Sequence, residues 1–178
     1  MRTYRVLALG LVAACGSRPA PVAVAAAPDE STYGPLEIGA DYATYRRVSP
    51  APFLSTVHGE RWVEVFVNEV GADAYLSGAD IPVGTIVVKT SWQDRDGHIS
   101  DVPGPLFVME KRAPGYDPEN GDWWFAIHWA EPTPKQRKKF GGPIYWRGKS
   151  PRAAYCSDCH SSYDRGLGGL TPSSLLMR

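Results

Sequence analysis

A chain of 178 residues that is 43% hydrophobic and 11% aromatic has the apolar content for one folded core and is too apolar for a disordered chain. Its 19 Lys and Arg balance 19 Asp and Glu, so nothing in the overall charge argues for nucleic acid, an anionic membrane surface or an acidic partner.

The first residues, MRTYRVLALGLVAAC, contain Arg2 and Arg5, an apolar run from Val6 to Ala14, and then Cys15. That run is too short to cross a bilayer as a mature helix. Basic residues before a short apolar stretch describe an export signal, and Ala13 and Ala14 make residues 1–15 look like a bacterial lipoprotein signal with Cys15 as the lipidated residue. The alternative is an ordinary signal peptide cut near Ala25, which leaves a soluble periplasmic protein. Gly16, in place of an acidic residue after the cysteine, resembles lipoproteins of the outer membrane. The expected location is therefore the periplasmic side of a bacterial membrane, held by lipid alone. Residues 16–32 are mostly Ala, Pro, Val and Ser and read as a flexible linker. A folded domain is expected over 33–165 and a tail over 166–178.

Within the domain, Tyr42 to Arg46 reads as a short helix before Pro50. Arg61 to Val67 alternates as a half-buried strand does. Glu69 to Tyr75 is predicted helical and is closed by Ser77-Gly78, after which Thr85 to Thr90 is a β-branched strand. Gln93 to Gly97 reads as a polar hairpin loop, Leu106 to Lys111 as a returning strand, and Arg112 to Asp122 as a second polar loop. Trp123 to Trp129 is the most aromatic segment and reads as a buried strand. Four strands joined mostly by connections too short for crossovers imply an antiparallel sheet. The fold class is α+β, mainly β. Pro132 to Lys139 is basic and expected at the surface.

Near the end stands CSDCH, from Cys156 to His160. Two thiols at this spacing with a histidine directly behind are the attachment pattern of a c-type haem: Cys156 and Cys159 add to the vinyl groups and His160 binds the iron. Such attachment takes place outside the bacterial cytoplasm, so the export signal agrees with it. Assigning Cys15 to lipid leaves no cysteine over. A thioredoxin-like C-x-x-C needs a βα context with most of the fold downstream, which is missing here. A zinc site needs more ligands, and His58, His98 and His128 are scattered singly. A plain disulfide leaves His160 unexplained.

From Tyr42 to Asp164 the chain resembles the cytochrome P-460 family, which includes cytochrome c-prime-beta. The resemblance rests on WVEVFVNEVGADAY, on IPVGTIVVK, on VMEK followed by a loop and GDWWF, and on CSDCH with Asp164 shortly after. It implies a small antiparallel sheet with flanking helices, one covalent haem c with its iron on one sheet face, and a homodimer. It also implies handling of hydroxylamine or nitric oxide, with electrons passed to a soluble acceptor. Lys89 matches the lysine that is cross-linked to a haem meso carbon in true cytochromes P-460. Thr85, Val87 and Lys89 share a strand face, so Lys89 either reaches a haem on that face or ends the strand with its ammonium in water.

The family's hydroxylamine chemistry calls for a carboxylate as general base near the open iron position. Counting back from Lys111, that position holds Phe107. A phenylalanine takes no proton, and an apolar cap favours binding of small uncharged gases, so an oxidoreductase and a non-catalytic nitric oxide binder or electron carrier both stay open. Met109 shares the Phe107 face and is either a sixth iron ligand or core packing. Glu110 points the other way and is expected in solvent. The three scattered histidines are expected to be structural or solvated.

Overall fold

The computed structural model describes residues 36–129, 132–140 and 144–167. The expectations for the signal, Cys15, the linker and most of the tail lie outside these residues.

Among the described residues, eight strands form one antiparallel sheet. They are β1 (Arg46–Arg47), β2 (Phe53–Ser55), β3 (Arg61–Val67), β4 (Ile86–Arg95), β5 (His98–Pro103), β6 (Leu106–Lys111), β7 (Trp123–Trp129) and β8 (Ile144–Arg147). The main path runs β1-β3-β4-β6-β7-β8, with β2 beside β3 and β5 beside the far half of β4. Three α-helices accompany it: α1 (Ala72–Ser77), α2 (Pro134–Phe140) and α3 (Pro151–His160). None of them is long and apolar enough to cross a membrane.

The four expected strands are present, and the sheet is larger than expected. Gln93 to Arg95 belong to β4 instead of a loop, because the turn is only Asp96-Gly97. Both of those residues have positive φ, 53° and 81°, as a tight hairpin turn requires. The returning segment is β5, whose exposed, polar sequence carries no apolar alternation to reveal it. The two- and three-residue strands β1 and β2 are too short to show a period, and β1 takes Arg46 out of the expected helix, leaving a single 3-10 turn over Tyr42–Thr44. Helix α1 starts at Ala72 instead of Glu69. The Asn68 carbonyl accepts from Gly71 N at 3.1 Å and Ala72 N at 3.0 Å, so a turn precedes the helix. The basic Pro134–Phe140 segment is at the surface, as expected, and is helical.

The sheet divides the core into two layers. On one face Val65, Val67, Val87, Met109, Trp123 and Phe125 pack with Ala72 and Tyr75 of α1 and with Leu167. On the other, Val88, Val108, Trp124, Ala126 and Tyr145 pack with Leu36. The alternation read in β3 is what divides it: Val63, Val65 and Val67 are each 0% exposed, and each buried side chain of this kind contributes roughly 1.5–3 kcal/mol. Helix α3 crosses the first face against β7. It starts where Ser150 Oγ accepts from Ala153 N at 3.1 Å, with Pro151 in the first turn.

Candidate functional site

Between α3 and the first sheet face lies a cavity of about 310 Å³, in the size range of small-molecule and cofactor sites. Val87, Lys89, Phe107, Met109 and Phe125 form its floor; Cys156, Cys159 and His160 form one wall, and Ser55 to His58 the opposite one. Every expected site residue in the described part of the chain thus borders one space. Cys156 and His160 stand one helical turn apart and so share a face of α3, with Cys159 beside them.

His160 is 8% exposed, and its ring is 5.3 Å from that of Phe125. Its Nδ1 lies 2.6 Å from the Gly166 carbonyl, which fixes Nδ1 as the protonated nitrogen and leaves Nε2 with its lone pair. The residue before it, Arg165, is held to the core. Trp123 Nε1 donates to the Arg165 carbonyl at 3.0 Å, and the Arg165 guanidinium donates to Ala74 O at 3.2 Å and Ala79 O at 2.9 Å. Gly166 has φ +69°, and a Cβ there would stand 2.5 Å from Trp123 Nε1, so only glycine fits.

Burial, followed by the nearby Lys89 charge, pushes His160 down to about 4. Its imidazole is therefore neutral, the form that binds metals. Burial likewise pushes the Cys156 thiol up to about 11, partly offset by Lys89. A redox-active C-x-x-C has a thiol pushed the other way, so the electrostatics speak against thioredoxin-like chemistry. Cys156 and Cys159 are both unpaired thiols in this structure. Among the described residues no three His, Cys, Asp or Glu side chains group closely enough to hold a metal ion by themselves.

Lys89 is 6% exposed and sits within β4, paired with Val65 and Phe107. A strand-end lysine with its ammonium in water is thus the wrong picture. Burial pulls it down to about 8. Phe107 and Met109 lie on the cavity face, but Met109 is packed into the core among Val87, Trp123 and Phe125. Glu110 points to the other side, where it is half-buried and paired with Arg112 at 2.6 Å instead of simply solvated. His98 is exposed, and His128 sits on the far face with its ring 5.2 Å from Tyr145.

His58 is the residue that sequence reasoning missed. It ends a 3-10 turn (Thr56–His58) that follows β2, and it lines the cavity. Its Nδ1 is 2.7 Å from Ser55 Oγ, its Nε2 is 3.5 Å from Lys89 Nζ, and its ring is 4.8 Å from Phe107. Burial, then Lys89 and His160, push it down to about 3. No local pattern marks it, because a three-residue strand and a single turn bring it into place.

Two thiols, an imidazole with a free Nε2 and apolar aromatic walls are the donor set and lining that a thioether-bound haem needs, so the residues present fit that group. A family model described as Cytochrome P460 matches residues 41–165. No curated protein matches the chain.

Proposed function

As a member of the cytochrome P460 family this chain is a haem-binding cytochrome, and we propose that it carries one haem c, attached through Cys156 and Cys159 with His160 on the iron. We further propose that it is exported, held to the membrane by lipid on Cys15, and that it binds small nitrogen species and exchanges electrons with a soluble acceptor. When bound, the haem supplies an iron that changes oxidation state and takes a small ligand.

The chain's own residues set what happens there. The Gly166 carbonyl orients the His160 ring. Phe107 and Phe125 give the cavity apolar lining. Among the described residues no carboxylate lines it, and Phe107, which does, is where the resemblance counted back from Lys111 would put the family's general base. That observation carries the non-catalytic reading, in which nitric oxide is bound or electrons are relayed. The burial of Lys89 within the cavity supports a second reading, a lysine cross-link with hydroxylamine oxidation.

Absorption spectra of the ferric and ferrous holoprotein, taken beside Lys89→Ala, separate the two. The expected result is an ordinary c-type spectrum that the substitution does not shift, together with nitric oxide uptake and no hydroxylamine turnover. A red-shifted ferrous Soret band that reverts in Lys89→Ala, with turnover in the wild type, would establish the enzyme reading instead.

A further inference from the structure

We infer that His58 is the second axial ligand of the iron, opposite His160. The inference rests on the haem attachment proposed above and extends it to the other side of the cavity.

Three observations converge. First, the two imidazoles are prepared in the same way. His160 has Nδ1 engaged by the Gly166 carbonyl at 2.6 Å, and His58 has Nδ1 engaged by Ser55 Oγ at 2.7 Å. An outer-shell partner on one nitrogen is the usual support of a metal-bound histidine: the Gly166 carbonyl can only accept from His160 Nδ1, and the Ser55 hydroxyl is able to accept from His58 Nδ1, the arrangement in which Nε2 is the donor in both rings. Second, the ring centroids are 6.4 Å apart. Two imidazoles on opposite sides of one metal at about 2 Å per bond place their centroids about 6 Å apart, so the separation leaves room for one ion between the rings. Third, both rings border the cavity that contains the two thiols, with Cys156 one turn before His160.

The other residues on this side are weaker donors. Phe107 has no lone pair and packs edge-on against the His58 ring at 4.8 Å. Met109 is committed to the core with Val87 and Trp123. Lys89 Nζ lies 3.5 Å from His58 Nε2 and is the real competitor for the position. An iron held by two imidazoles is low-spin, and an incoming gas must displace His58 before it binds.

The test is low-temperature electron paramagnetic resonance of the ferric holoprotein at neutral pH, with covalent attachment first established on the denatured chain. The expected wild-type signal is low-spin. It should be lost to a high-spin signal in His58→Ala, return on addition of imidazole, and persist in Lys89→Met. Near-infrared magnetic circular dichroism of the wild type alone distinguishes a bis-imidazole iron from one held by imidazole with amine or thioether, so the inference stays testable if His58→Ala does not fold. A high-spin wild type, an amine or thioether band, or a low-spin signal that survives His58→Ala overturns it. Any of these with the haem still covalently attached refutes His58 ligation alone, whereas a chain that releases its haem on denaturation refutes the attachment reading.

Discussion

The two walls of the cavity are built differently. The His160 wall is a ten-residue helix, capped at Ser150, packed on β7 and closed by a loop that Trp123, Arg165 and Leu167 tie to the core. The His58 wall is a three-residue strand and one 3-10 turn, with Val57 57% exposed and the imidazole held by Ser55 and Phe107. Many mutually supporting contacts fix the first, and few fix the second. Segments with few buried contacts open at the lowest free-energy cost, so the His58 wall is expected to open more readily than the His160 wall. On the function proposed above, this asymmetry gives the holding of the iron and the admission of a ligand to different walls.

Substitutions sharpen or break this contrast. The largest effect is expected from Trp123→Ala, which empties a fully buried site and frees the Arg165 carbonyl, at a cost of ~3–5 kcal/mol in chemical denaturation followed by circular dichroism. Gly166→Ala should cost ~1–3 kcal/mol through its positive φ and the clash with Trp123, and it should also disturb the His160 signals in the holoprotein. Ser150→Ala removes the cap of α3, for a loss of ~1 kcal/mol by the same assay. Ser55→Ala should be the mildest, at ~0.5 kcal/mol, because it deletes one hydroxyl and its single hydrogen bond to His58 and leaves the backbone pairing of β2 in place. Its clearer readout is a larger high-spin fraction in the ferric resonance spectrum. Were Ser55→Ala to cost as much as Trp123→Ala, the two walls would be equally fixed and the contrast would fail.

How far the sequence reveals these walls follows from how each is made. Cys156, Cys159 and His160 lie within five consecutive residues, so their spacing alone declares them. Lys89, Phe107 and Met109 sit on long alternating strands whose period gives their face, although not the depth at which Lys89 is buried. His58 stands on elements too short to have a period and reaches the cavity only through the pairing of β2 with β3. The Gly166 carbonyl is a backbone group, and no residue type announces what it will accept. Strand β5 was hidden for a related reason: its pairing comes from the Asp96-Gly97 turn and the extension of β4, not from apolar alternation.

On the function proposed above, CSDCH binds haem covalently. The most direct measurement is the mass of the mature chain after denaturation and organic extraction, taken with the absorption of the same sample in alkaline pyridine and compared with Cys156→Ala/Cys159→Ala. The expected result is a chain that keeps the mass of one haem and a thioether-type spectrum, both lost in the double substitution. A chain that gives up its haem to the solvent, or whose double substitution leaves it attached, would contradict the claim.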